Sequence, residues 1–219
     1  MRALPQPRLR LCWLLLLGLA GCGSSPPAAS APRAPAPATP AEPSLGKDGW
    51  GVLRSQALGV KLALPEARAW LEPPSAAPDA ARSSWELRHE PTGSKLVVRR
   101  WRASRVPQLD ACEREARQRS SEVPEIDETN LVASRNVRAP EGFSTHLSIL
   151  SLPGAGARLR GLVVAIGAGV GECLAAVAST ECNGEEELAE RLRLLDTALG
   201  HLHLIHVEDR VPQPQPAQP

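Results

Sequence analysis

The stretch from Ser24 to Pro43 decides where in this chain a fold can form. It holds seven prolines and seven alanines among 20 residues. Such a segment buries too little apolar surface to offset its ordering entropy. It reads as an extended tether, reaching roughly 60 Å at about 3.1 Å per residue. Val211 to Pro219 is a second loose segment, rich in Pro and Gln. Between the two tails lie roughly 160 residues, enough for one domain with a real core. Tyrosine is absent and Phe143 is the only phenylalanine. That core must therefore be built from Leu, Val, Ala and a few tryptophans.

What precedes the tether is a secretory signal. Arg2, Arg8 and Arg10 form a basic head, Leu11 to Leu19 an apolar run, and Ala20 and Gly21 a small-residue end. Nine apolar residues are too few to span a bilayer, which takes about 20. Leu19-Ala20-Gly21-Cys22 resembles the lipobox of bacterial lipoprotein precursors. The resemblance implies cleavage before Cys22, a diacylglyceryl group on its thiol and an acyl chain on its new amino group. Two or three chains hold a protein stably where one does not. Gly23 and Ser24 follow, with no aspartate, which in this family points to the outer membrane. The expected organisation is a signal over residues 1–21, lipidated Cys22 and tether over 22–48, one domain over 49–209 and a tail over 210–219.

Charge narrows the partners. The chain carries 25 basic and 24 acidic groups; removal of residues 1–21 takes three arginines and no acid, leaving 22 against 24. A near-neutral protein without a basic run is a poor nucleic-acid binder. Its membrane contact is expected through the lipid on Cys22, and its partner is an unidentified envelope protein.

Within the domain, Leu58, Val60, Leu62 and Leu64 alternate with small or polar residues, a half-buried strand that Pro65 ends. Trp70 to Arg82, with three prolines, reads as a surface loop. Trp85–Glu90 and Lys95–Trp101 form an expected hairpin joined by Pro91-Thr92-Gly93-Ser94. That loop sets Leu87 opposite Val98, His89 opposite Leu96, Glu86 opposite Arg99 and Glu90 opposite Lys95. Pro107 to Ser120 is a helix with a narrow stripe of Leu109, Cys112 and Ala116. Strands follow over Leu131–Val137, Phe143–Leu152, Leu159–Ile166 and Cys173–Ser179, with tight antiparallel connections. The last helix starts at Asn183 as N-cap, shows Leu188, Leu192, Leu195 and Leu199 on one face, and ends at Gly200. His201 to Val207 reads either as an edge strand or as more helix.

This order makes an α+β domain, two helices packed on a mainly antiparallel sheet. It resembles the PsbP/Mog1-like domain, whose opening strand, proline and tryptophan are similar to "VKLALPEARAW" here. The resemblance covers residues 52 to 205 and implies a fold, not a function.

Features with chemistry are few. Gly167-Ala168-Gly169-Val170-Gly171 is spaced G-x-G-x-G and precedes a strand, so it reads as a connection and not as a phosphate loop. His201 and His203 share a face if their stretch is a strand, and a metal there would need His89 or His146 as well. Glu185 to Glu187 suit a helix start better than calcium. Trp50, Trp70, Trp85 and Trp101 form either core or an aromatic platform. Ser144 and His146 have no acid partner, and no G-x-S-x-G, H-E-x-x-H, Walker loop or C-x-x-C is present. No catalytic residue, metal ligand or cofactor is assigned.

Three cysteines remain in the domain, and an envelope location favours a disulfide among them. A strand from Cys173 to Ser179 holds Cys173 and Cys182 too far apart to bridge, which leaves Cys112 with either partner. Cys112 lies on the apolar stripe and Cys173 shares a strand face with Ala175 and Val177. Cys112–Cys173 is the pairing expected, worth about 2–4 kcal/mol. Cys182, just before the last helix, is expected free and exposed. Together these readings point to a non-enzymatic, lipid-anchored envelope protein that binds or supports another component. The alternative is a periplasmic small-ligand or metal-binding module.

Overall fold

A computed structural model describes residues 49–74, 83–103 and 106–205, all within the second of two units, Pro40–Pro219. Cys22, the signal, the tether, His206 and the C-terminal tail lie outside the described residues. The architecture is α+β, with two antiparallel sheets and two α-helices.

The chain opens with a hairpin, β1 (Gly51–Ser55) and β2 (Val60–Leu64). Val60, Leu62 and Leu64 are buried while Lys61 and Ala63 are not, the alternation their spacing dictates. Each buried side chain contributes about 1.5–3 kcal/mol. A 3-10 turn (Ala67–Ala69) leads into β3 (Trp70–Leu71), which pairs with β4 (Ser84–His89). The expected surface loop therefore starts with a buried, strand-paired tryptophan, because the Trp70 indole donates to the Pro65 carbonyl at 3.0 Å. Residues 75–82 of that loop lie outside the described residues.

β4 and β5 (Ser94–Arg102) form the expected hairpin in a different register. Leu87 faces Leu96, Trp85 faces Val98 and His89 faces Ser94, two residues from the expected pairing. The loop is Glu90-Pro91-Thr92-Gly93, one residue earlier in the chain than expected. Gly93 is its last member, at φ 66°, a left-handed position that four-residue hairpin loops reserve for glycine. A shift by two keeps every side chain on its face. Glu86 consequently bonds diagonally to Lys95 at 3.4 Å and along its own strand to Arg88 at 3.3 Å, and Arg99 stands opposite Ser84.

Helix α1 (Leu109–Arg119) follows, starting two residues after Pro107. Then come β6 (Leu131–Val137), β7 (Ser144–Pro153), β8 (Leu159–Gly169) and β9 (Glu172–Cys182), a continuous meander. Helix α2 (Glu185–Gly200) has Gly184 as N-cap, with no side-chain cap from Asn183. Glu185, Glu186 and Glu187 in the first turn complement the helix dipole instead. The chain then turns into the two-residue β10 (His203–Leu204), which pairs with β2, so strand and not helix follows Gly200.

The large sheet runs β3-β4-β5-β9-β8-β7-β6, the small one β1-β2-β10. α2 and the small sheet cover one face of the large sheet, and α1 covers the other. Strands β8 and β9 are consequently buried on both faces over most of their length. Close approach from both sides selects small residues. A Cβ on Gly161 would lie 2.8 Å from the Leu188 and Leu192 methyls, and one on Gly169 would lie 2.7 Å from the Phe143 ring. The glycine run is thus mostly strand: Gly167 to Gly169 end β8 under the only phenylalanine, and Val170-Gly171 make a two-residue turn.

α1 is fixed by two clamps. Cys112 and Cys173 form a disulfide, their Cα atoms 5.5 Å apart and 61 residues apart in sequence. Beside it, the Trp101 indole donates to Glu115 at 2.8 Å and the Arg119 guanidinium sits 5.5 Å over its ring. After the helix, Glu122 bonds back to the sheet. The Ser120 hydroxyl, then Lys95 and Arg99, hold its carboxyl below the usual carboxylate range against partial burial.

Two tests follow from α1. Replacement of Cys112 and Cys173 by serine or alanine pairs is expected to lower stability by about 2–5 kcal/mol in urea unfolding. A depressed carboxylate stabilises the fold above its unfolded pKa, about 4.3, and that contribution fades as pH falls through the lower folded value. Glu122→Gln is therefore expected to lower the urea midpoint at neutral pH and to flatten its fall below pH about 4. Parallel midpoint profiles for the two proteins would remove Glu122 from the acid response.

Candidate functional site

The described residues with the densest buried polar contacts lie where α2 meets the β4–β5 hairpin. His89 ends β4 and Ser94 begins β5, so the four-residue loop carries Thr92 between them. Thr180 stands on β9 beside this hairpin, and Arg191 reaches across from α2. Ser94 donates to Thr180 Oγ1 at 2.9 Å, Thr92 and Ser94 hydroxyls are 2.7 Å apart, and His89 Nδ1 meets Thr92 Oγ1 at 2.8 Å. Arg191 donates to Thr180 Oγ1, the Glu181 carbonyl and the Thr92 carbonyl, and forms an ion pair with Glu187. His89, Ser94 and Thr180 are all at least nine-tenths buried.

A cavity of about 90 Å³ opens beside this chain of bonds, lined by Pro65, Glu66, Trp70, His89, Arg191 and Leu195 among others. The Trp70 and His89 rings lie 5.0 Å apart. Glu66 stands at the mouth, its side chain 67% exposed, with Oε2 3.1 Å from His89 Nε2. Its backbone is left-handed at φ 50°, a region that costs about 1–3 kcal/mol for a residue with a side chain. A larger open cleft, about 530 Å³, lies between Val106-Pro107, Arg138 to Ser144 and Ala168 to Val170. Val106 and Val170 are exposed on its rim, and Phe143 forms its floor.

Other sequence candidates fall elsewhere. Trp70 and Trp85 are buried and Trp50 and Trp101 pack against the cores, so the four tryptophans are core and not a platform. His203 is exposed on β10, His201 caps α2, and His146 bonds to Asn136 at 2.9 Å on β7. They do not converge. Among the described residues no group of three His, Cys, Asp or Glu is placed to hold a metal. Cys182 is a free thiol but buried, not exposed, because β9 runs three residues further than its apolar stretch and turns the side chain into the α2 core. Its thiol donates to the Gly184 carbonyl at 3.2 Å. Glu66, Thr92 and Arg191 were not legible as site residues; Glu66 lies 23 residues from His89, Arg191 reaches Thr92 across 99 residues, and Thr92 joins the site only where its hairpin meets α2.

No family model and no curated protein matches the chain. Solved structures of similar arrangement include a crystal structure of a protein from Bacteroides thetaiotaomicron VPI-5482. The two are 8% identical with a TM-score of 0.45, over 75% of this chain and 52% of that one. This chain thus spans about half the length of that protein. Another is the solution structure of cyanobacterial PsbP (CyanoP) from Synechocystis sp. PCC 6803. It is 14% identical with a TM-score of 0.48, over 74% of this chain and 96% of that one. Among the described residues no helix is long and apolar enough to cross a membrane.

Thr180 receives two donors, from Ser94 and Arg191. Thr180→Val keeps its shape and removes the acceptor of the Ser94 hydroxyl, while Arg191 keeps the Glu181 and Thr92 carbonyls, at an expected cost of about 1–3 kcal/mol in urea unfolding. A neutral result would mean that Ser94 finds another acceptor.

Proposed function

We propose that this chain is a lipid-anchored protein of the cell envelope whose domain binds or supports another envelope component and turns over no substrate. Leu19-Ala20-Gly21-Cys22 after the basic and apolar segments carries the reading. The disulfide between Cys112 and Cys173 agrees with it, since such bonds persist in oxidising compartments. The buried hydroxyls of the site are spent on one another, which suits a fixed scaffold better than a nucleophile awaiting substrate. The open edge strand β6, with Leu131 and Val132 exposed, offers main-chain groups of the kind a partner strand covers. A second reading, a periplasmic module for a small ligand or metal, is favoured by the cavity beside Trp70 and His89.

Cys22→Ser tests the anchor. The variant is expected to accumulate as an unprocessed precursor and to lose palmitate labelling in cells, while the parent protein partitions into detergent with the outer-membrane fraction. Labelling that survives the substitution would remove Cys22 as the acylated residue and the lipobox with it.

A further inference from the structure

The chain leaves the described residues at the end of the domain where the larger cleft opens. β10 runs antiparallel to β2, so it heads toward Gly59, whose carbonyl accepts from the Ile205 amide at 2.8 Å. That corner of the small sheet is tied to the large one. The Arg100 guanidinium donates to the Leu58 carbonyl at 2.9 Å and to Glu172 at 2.6 Å. Glu172 starts β9 directly after the Val170-Gly171 turn, and Val170 lines the cleft. Residues 206–219 follow Ile205. Stacked sheets lie about 10 Å apart and neighbouring strands about 4.8 Å. An extended segment of that length reaches roughly 43 Å at about 3.1 Å per residue, which brings residues 211–219 within range of the cleft.

The chemistry of the cleft suits that segment. Among the described residues the two most exposed large apolar side chains are Val106, at 81%, and Val170, at 89%, and both stand on its rim above Phe143. Val170 takes a place in a two-residue hairpin turn where Asn, Asp or Gly is usual, so an apolar side chain is held out at the tip. Arg138 and Glu141, the charged residues of the lining, balance each other. Residues 211–219 carry no charge and so bring no ion that docking would desolvate. Their four prolines, Pro212, Pro214, Pro216 and Pro219, favour a polyproline helix. Such a helix is formed before binding and docks in aromatic-lined grooves. With three residues per turn, Pro216 and Pro219 share one face of it.

We propose that residues 211–219 dock in this cleft of their own domain, with prolines against Val106, Phe143 and Val170. The segment then covers the two valines, and the glutamine amides between its prolines face the polar rim at Arg138, Glu141 and Ser144. Docking here does not depend on the lipid anchor, so its failure leaves the anchoring reading untouched.

The test compares the valine methyl resonances of the full chain, disulfide intact, with those of a chain ending at Arg210. The Val106 and Val170 methyls are expected to shift when residues 211–219 are removed. A synthetic peptide of residues 211–219 is then expected to move them back saturably. It is added at a few mM, about the effective concentration that a short linker gives. Val170→Asp, a change at an exposed turn, is expected to abolish the response of Val106 to the peptide without altering thermal unfolding. Methyl signals that are identical in the two chains overturn the proposal, as does a truncation shift that the peptide does not reverse. Shifts that instead follow protein concentration also overturn it, and assign the cleft to a second copy of the chain.

Discussion

The ladder between β5 and β9 is the contact on which the rest of the domain depends. It runs from Lys95 opposite Ser179 to Arg102 opposite Glu172, joining strands that are 70 residues and more apart in sequence. Within the large sheet, the strands before α1 are a meander of β3, β4 and β5, and those after it are a meander of β6 to β9. Without that ladder the two meanders would be separate small sheets, each with an exposed apolar edge. The chain reaches the far edge of the sheet only by crossing under it, and α1 makes that crossing. This explains why α1 is clamped where it is. Trp101 and Cys173 face each other in the ladder, and one holds Glu115 of the helix while the other holds Cys112. Loop closure on this scale is entropically costly, and the two clamps fix the crossing at the rung that joins the halves.

Local pattern made most elements legible, and long-range pairing is what it could not supply. β2, β6 and α2 declare themselves through alternation, turn residues or a leucine face. β1 does not: Gly51, Val52, Leu53 and Arg54 carry no strong alternation, and the strand exists because β2 needs a partner. The register of the β4–β5 hairpin shows the limit most plainly. Opposite charges at Glu86 and Arg99 argued for one pairing, while the backbone demand of Gly93 placed the loop one residue earlier. Turn geometry prevailed, since a left-handed position restricts the chain more than a surface ion pair of a few tenths of a kcal/mol. The two registers differ by an even number, so apolar side chains were assigned to the right face either way.

The polar site was hidden for a related reason. Its central hydrogen bond links Ser94 to Thr180 across 86 residues, and Arg191 reaches Thr92 across 99. Single Ser, Thr and His residues at strand ends look like ordinary solvated positions until the ladder brings them under α2. Burial then forces them to satisfy one another, because an unmatched polar group in such a place costs about 1–3 kcal/mol. The hydroxyls of Ser94, Thr92 and Thr180 and the ring of His89 thus form one connected chain, each link closing on the next.

The sheet also settles how a free thiol and a disulfide coexist in one small domain. Thiol–disulfide exchange needs a thiolate that can reach a sulfur of the bond. Cys173 and Cys182 lie at opposite ends of the same strand, and their odd separation of nine residues turns them to opposite faces. Cys173 joins Cys112 in the core under α1, while Cys182 lies in the core under α2. Both sulfurs of the bond belong to fully buried residues, and the Cys182 thiol is engaged with the Gly184 carbonyl. A seven-stranded sheet stands between them, so exchange requires the domain to open. The extension of β9 excludes a Cys173–Cys182 bridge on distance, and its alternation excludes it again on direction.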